Sequence, residues 1–248
     1  MTTEPSDAPN KEAQQYWGYL LKPDKCGTDL FNRLLEGTAN FISTHFEPSD
    51  SHDLTPAQLA AFYRAVGGHY DVLFAETPPS SIAFIYKSLG CLHSLQPSPT
   101  DDGYDSPTIP ALKIKGFITW QTIQLLLCPE EHVPFLQKAV LDFDIIDPAD
   151  GKPFPKLLPK ESFPEKPDPA MVQWYEGVAD RLRKEAEAEE QRGDARRADV
   201  DVDDPRVTGD SSADSSADER HGAEAYFRDP LYRNRRGRPT IIHTYSRQ

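Results

Sequence analysis

The sequence is poor in the features that mark exported, membrane-spanning or polyanion-binding proteins. It has only 3 cysteines in 248 residues. Cys26, Cys91 and Cys128 are odd in number and none sits in a C-x-x-C pair, so neither a disulfide framework nor a thiol-rich metal knuckle is written into it. No asparagine satisfies the N-x-[ST] rule for glycosylation. There is no run of eighteen apolar residues, which excludes a spanning helix and predicts no membrane partner. The first fifteen residues carry Glu4 and Asp7 and no apolar stretch, so no secretory signal is legible there. Basic charge is scarce as well: 27 Lys+Arg stand against 40 Asp+Glu, a net charge of −13. A chain so acidic is not a general binder of nucleic acid or of anionic lipid. Together these absences predict reduced thiols and an intracellular address, cytoplasmic or nuclear.

What is present divides the chain into three. Residues 1–15 lack apolar periodicity and read as a disordered N-terminus. Residues 16–183 carry periodic apolar positions and read as a single compact, mainly α-helical domain, about 170 residues and enough to bury about 70% of its unfolded surface. Residues 184–248 read as a disordered tail. Between Glu185 and Glu219 there are 13 acidic and 4 basic side chains, three valines and no aromatic residue, too little apolar surface to offset the entropy of ordering. Beyond it Tyr226, Phe227, Leu231, Tyr232, Ile241, Ile242 and Tyr245 alternate with six arginines, a sticky basic-aromatic terminus rather than a second core.

Within the domain the helical period is strong. Leu30, Phe31, Leu34, Leu35, Ala39, Phe41, Ile42 and Phe46 recur at three and four, one buried stripe between Thr28 and Phe46. Thr55-Pro56-Ala57-Gln58 is a capping box with proline at the first helical position, and it opens a helix that Gly67-Gly68 ends. A third helix is predicted over Ser80–Leu89. Pro97 to Pro110, with four prolines, reads as a loop. Ile114, Phe117 and Ile118 suggest a short extended piece before Trp120, Ile123, Gln124 and Leu127 turn helical. Pro129 opens the next helix, with Glu130 and Glu131 at its positive end. Six prolines between Pro153 and Pro169 predict an extended strap anchored by Phe154, Leu157, Leu158 and Phe163. Asp168-Pro169 then caps a last helix carrying Val172, Tyr175, Val178, Ala179 and Leu182.

Several residue groups imitate chemical sites. Gly116-Phe117-Ile118 resembles the turn of a calcium loop, which leaves room for a degenerate EF-hand-like topology. Yet with Gly116 at position 6, Ala111, Lys113, Lys115 and Thr122 fall where oxygen ligands belong. Asp142, Asp144, Asp147, Asp150 and Gly151 form an acidic cluster that reads as a helix end and a solvated turn. Cys128, Glu131 and His132 have inverted-zincin spacing, but Pro129 starts the helix after Cys128, which takes the thiol off the shared face. His45, His52, His69 and His93 are scattered, with no nucleophile elbow or phosphate loop to accompany them. The sequence therefore predicts no metal and no cofactor, and names no catalytic residue.

Other patterns point to binding. Tyr16, Trp17 and Tyr19, with Trp120 and Trp174, are either groove-lining or core residues, and Trp17 and Trp174 are placed to pack the first and last helices together. Arg233, Arg235, Arg236 and Arg238 have the spacing of a targeting signal, a phosphate-neutralising arm, or a basic end that folds back on the acidic stretch. Ser98 and Ser106 precede prolines, while Ser211 and Ser215 precede aspartates, so all four are candidate phosphorylation sites.

Three segments carry a resemblance: Tyr16-Trp17-Gly18-Tyr19-Leu20-Leu21-Lys22-Pro23-Asp24-Lys25, Gly116-Phe117-Ile118-Thr119-Trp120-Gln121-Thr122-Ile123-Gln124-Leu125-Leu126-Leu127, and Pro129-Glu130-Glu131-His132-Val133-Pro134-Phe135-Leu136. The chain resembles a family of filamentous-fungal proteins that carry a domain of unknown function. The match covers nearly all of residues 16–183, and Arg235-Arg236-Gly237-Arg238-Pro239-Thr240 resembles the family's ending. This implies a fungal source and an intracellular protein, and no reaction.

The sequence thus favours a non-enzymatic protein-interaction module with a regulatory tail and a protein partner. The alternatives are a nucleic-acid-associated protein that uses only the arginine cluster, and an enzyme whose site cannot be named.

Overall fold

The first element of the chain is a helix that the apolar pattern does not announce. The computed structural model of the protein describes residues 7–49, 51–98, 106–182, 184, 223 and 226–227. Asp7–Trp17 forms α1, where composition predicts disorder over residues 1–15. Its buried face consists of Ala13 and Trp17, one turn apart, too thin a stripe to register as a period. The helix holds because Trp17 inserts under the strap. Its ring stacks on Phe154 with centroids 5.6 Å apart, and its indole Nε1 donates to the Leu157 carbonyl at 2.8 Å. Trp174 does not join it and is 40% exposed, so the expected pairing of first and last helices through tryptophans does not occur.

The strongly patterned helices form where the period places them. Helix α2 (Asp29–His45) is capped by Thr28, whose hydroxyl accepts from the Phe31 N–H, and it buries Phe31, Leu34, Leu35, Ala39 and Ile42. Gly37 lets the chain at Ile145–Ile146 lie against it, since a Cβ there would stand 2.4 Å from the Ile146 carbonyl oxygen. Helix α3 (Pro56–Ala65) has the reciprocal capping box: Gln58 N–H donates to Thr55 Oγ1, and Thr55 N–H donates to Gln58 Oε1. A π-helical turn at Val72–Glu76 leads to α4 (Pro79–Ser88).

The stretch after α4 differs from the expectation. β1 (His93–Gln96) and β2 (Ile109–Leu112) form an antiparallel pair in which Leu95 faces Pro110. With only two strands each is an edge, which is where a strand tolerates proline. Leu112 bonds back to Leu54 through both backbone groups at 2.8 Å. Helix α5 (Ile114–Leu127) starts at once, so Ile114, Phe117 and Ile118 are helical rather than extended. Gly116 lies in its first turn against the backbone of Leu92, and a Cβ would meet the Leu92 carbonyl oxygen at 1.9 Å. The glycine therefore serves close packing, and the EF-hand-like frame around it has no loop to occupy.

Helix α5 is buried over most of its surface, with Lys115 left exposed, and is the centre of the domain. It packs on α2, α6 (Pro129–Asp142) and β2, and its buried residues include two amides, Gln121 and Gln124. The proline-rich segment is the predicted strap. It has a single 3-10 turn at Lys160–Ser162 and buries Phe154, Leu158 and Phe163. The Leu157 side chain stays 43% exposed, so this residue anchors through its carbonyl. The last helix of the domain, α7, covers residues 169–182 and is capped by Asp168, whose Oδ1 accepts from the Ala170 and Met171 N–H groups.

One part of the predicted tail is not separate from this core. Ala223, Tyr226 and Phe227 are helical, and all three are buried within the same apolar cluster. The sequence reading of a sticky terminus outside the core is corrected at these positions.

Candidate functional site

The residue groups that imitate metal or catalytic sites have structural employment. Cys128 is the residue that caps α6, with Pro129 behind it. Glu131 and His132 both turn onto the Tyr70 phenol: Tyr70 Oη donates to Glu131 Oε1 at 2.9 Å, and His132 Nε2 stands 2.9 Å from the same oxygen. One phenol has one proton, so with Glu131 as its acceptor the imidazole is the donor through Nε2. The pair clasps the start of α6 to the segment after α3.

Asp147, nearly buried, is paired with Arg33 at 3.0 Å, which joins α2 to the acidic turn. Its Oδ1 accepts from the Ala149 N–H, and Asp150 accepts from the Lys152 N–H, the bonds of an Asp-rich turn, though Asp147 itself is buried rather than solvated as the sequence suggests. Among the described residues no group of three or more His, Cys, Asp or Glu is arranged to hold a metal ion. The scattered histidines stay apart in the fold: His45 stacks on Phe41 and His93 Nδ1 lies 3.0 Å from the Cys91 carbonyl, to which it donates. Burial pushes the Cys91 thiol up to about 12, so it is protonated and inert at neutral pH.

A band of buried aromatic and amide groups runs through the centre instead. Tyr63 and Tyr70 stack with ring centroids 4.0 Å apart. The Tyr63 hydroxyl accepts from Trp120 Nε1 at 3.3 Å and from Gln121 Nε2 at 3.0 Å. Trp120 also meets Tyr86 edge to face at 5.6 Å, and burial holds the Tyr86 phenol well above its ordinary value. The polar tips of desolvated rings need partners: the Gln121 amide of α5 supplies one to Tyr63, and Glu131 and His132 meet Tyr70, while the buried Tyr86 hydroxyl has no partner among the described residues.

The far side of this band is a seat built by α5 and α7, and its occupant is Tyr226. Trp120 and Tyr226 lie nearly parallel with centroids 6.0 Å apart. Gln124 Nε2 donates to the Tyr226 phenol oxygen at 3.0 Å. From α7, Tyr175 Oη donates to the Tyr226 backbone carbonyl at 3.0 Å, and its ring packs against Phe227 at 5.4 Å. Ala223, Tyr226 and Phe227 stand at i, i+3 and i+4, the spacing of one helix face. Ring, hydroxyl and carbonyl of one residue are each met by a different side chain. Sequence reasoning missed this site. The signal available was Gln121 and Gln124 among the buried positions of a mainly apolar helix, together with the A-x-x-Y-F spacing in the tail.

A second concavity of about 600 Å³ opens between the start of α3, the π-helical turn, α4 and the hairpin. Thr55, Phe74, Thr77, Ile82, Ser98 and Ile109 are among the residues that line it. Ser106 is exposed. The candidates Ser211, Ser215, Arg233, Arg235, Arg236 and Arg238 lie outside the described residues.

The molecule is thus a helical domain around a largely buried central helix, with an aromatic seat for residues from its own C-terminal region. A family model for a domain of unknown function, DUF7514, matches residues 18–179, and the chain belongs to that family. No curated protein and no solved structure matches the chain. Among the described residues no helix is long and apolar enough to cross a membrane.

Proposed function

We propose that the chain is a non-enzymatic protein-interaction module whose α5–α7 face holds a short helical segment presenting Tyr-Phe. The observation that carries the reading is the triple recognition of Tyr226: ring on Trp120, phenol on Gln124, carbonyl on Tyr175. Helix-in-groove recognition works through anchors at i, i+3 and i+4 on one apolar face, and Ala223, Tyr226 and Phe227 supply that pattern. An aromatic anchor whose polar tip is also bonded combines area with specificity, because a ligand lacking the hydroxyl leaves the Gln124 amide without its acceptor. The working place of such a module is inside the cell, in keeping with the fungal resemblance of its motifs and with its three free thiols, of which Cys91 and Cys128 are buried.

The test uses the full chain with Tyr226→Ala and Phe227→Ala, which empties the seat. A fluorescent ten-residue peptide with the sequence of residues 221–230 binds this variant with micromolar affinity by anisotropy, and a peptide with alanine in place of the tyrosine does not. Equal binding of the two peptides, or binding of neither, removes the reading.

A further inference from the structure

We propose that the cavity between the start of α3, the π-helical turn, α4 and the hairpin binds a small uncharged molecule, an apolar alcohol or phenol whose hydroxyl donates to Thr77. None of the residues that hold Tyr226 lines this cavity, so the proposal is independent of the seat.

The walls are cross-braced by hydrogen bonds within the chain. Gln58, the partner of Thr55 in the capping box, also gives its Nε2 protons to the Phe46 and Pro48 carbonyls at 3.2 and 2.8 Å, which fixes the Pro48 wall against α3. The hairpin is tied to the chain just before α3: Gln96 Nε2 donates to Ser94 Oγ at 2.7 Å, and Ser94 Oγ donates to Asp53 Oδ2 at 2.6 Å. Phe74 and Ile82, both buried, contribute the apolar surface from the π-helical turn and from α4. A π-helical turn is a rare conformation, found frequently at functional sites. The space of about 600 Å³ falls in the range of pockets that enclose most of a small molecule.

What these walls offer decides the ligand. Pro48, Pro56 and Pro79 line the cavity and bring no backbone N–H. Three hydroxyls on the lining have given their protons to the chain: Ser51 to the Asp53 carbonyl at 3.0 Å, Thr55 to Gln58 Oε1 at 3.1 Å, and Thr77 to the Val72 carbonyl at 2.7 Å. A hydroxyl so committed still accepts. Ser51 and Thr55 already accept from the Asp53 and Gln58 N–H groups, whereas Thr77 bonds as a donor. A carboxylate or phosphate needs strong donors, and these groups have spent theirs. Among the described lining residues none is charged, so nothing there pairs with an ion of either sign. An apolar wall with an acceptor on it suits an apolar molecule that carries one neutral donor.

The full chain is titrated with three pyrenes, each followed by its own fluorescence: 1-pyrenemethanol, 1-methylpyrene and, at pH 8, 1-pyrenecarboxylate. The alcohol saturates one site per chain. The methyl compound binds about fivefold more weakly, the worth of one neutral hydrogen bond, and the anion at least tenfold more weakly than the alcohol. Equal affinity for all three, or no saturable binding of the alcohol, overturns the proposal. Ala57→Trp, at an exposed position on the lining, fills the cavity without touching the core and weakens the alcohol at least tenfold, while Ala149→Trp on the exposed acidic turn leaves it unchanged. Undiminished binding by the Ala57 variant overturns the location. Thr77→Val brings the alcohol and the methyl compound within twofold of one another, a ratio that a general loss of stability does not move; a preference kept at fivefold overturns the assignment to Thr77.

Discussion

Trp17 and Tyr226 approach one core from opposite ends of the chain, and each is an aromatic ring with its polar group bonded. Trp17 stacks on Phe154 and gives its indole N–H to the Leu157 carbonyl. Tyr226 stacks on Trp120 and takes the Gln124 amide on its phenol. They differ in how the neighbouring chain ties them to the domain. Trp17 leads within a few residues to Leu20 and Leu21, also buried, so α1 cannot leave without opening the core. Tyr226 is separated from α7 by residues 185–222, acidic and without aromatic residues. Equal burial thus serves as architecture in one case and, on the reading proposed, as an exchangeable ligand in the other.

The largest expected effect breaks the architectural half. Trp17→Ala removes a buried indole and costs about 3–5 kcal/mol, read as a displaced single transition in urea by circular dichroism. A cost below about 1 kcal/mol makes α1 as peripheral as the tail segment and dissolves the contrast. Gly116→Ala is second, at about 1–3 kcal/mol for forcing a Cβ into the Leu92 backbone, measured the same way; a neutral result means that the hairpin shifts freely on α5.

Tyr226→Ala comes next. Its effect on the urea midpoint is less than half that of Trp17→Ala, while acrylamide quenching of Trp120 rises sharply in a background carrying Trp174→Phe. A midpoint shift as large as that of Trp17→Ala places Tyr226 in the architectural class. Tyr226→Phe keeps the ring and loses the phenol, costing about 1 kcal/mol of seat occupancy for one hydrogen bond. Faster hydrogen exchange confined to residues 221–230 reports it, and no change means that the Gln124 contact contributes nothing.

The smallest effect lies at the cap of α7. The hydrogen bond from Lys25, helped by the Met171 and Ala170 N–H groups, holds the Asp168 carboxyl below its ordinary range. A depressed folded value means that the contribution is present above the unfolded value near 4 and is lost as pH falls through the folded one. Asp168→Asn keeps the cap and removes the charge. It costs a few tenths of a kcal/mol at pH 7, as exposed pairs do, and flattens the fall in stability below pH 4. An unchanged acid slope refutes the assignment.

Legibility tracked the strength of the local signal. The α2 stripe, the Thr55–Gln58 box, the Pro129 start, the strap and the Asp168 cap were all readable, because each is decided by residues within one or two turns of one another. The β1–β2 pair was hidden, since four-residue edge strands containing Pro110 carry no alternation. Helix α1 was hidden because two apolar positions make no period. The seat was least legible of all. Gln124 on a buried helix and Tyr226 in an acidic-to-basic tail each look like exceptions, and they account for one another only when 102 positions of chain are folded between them.

By itself the sequence determined where helices start and stop, which faces are apolar and how charge is distributed, because caps, periods and prolines act over a few residues. Tertiary structure alone decided what meets what: the carboxylate and imidazole after Cys128 clasp the Tyr70 phenol, and a tyrosine from the tail joins a core more than a hundred residues away. Burial creates those obligations. A polar group withdrawn from water takes the partner that the packed chain brings to it, and nothing local in the sequence says which one that is.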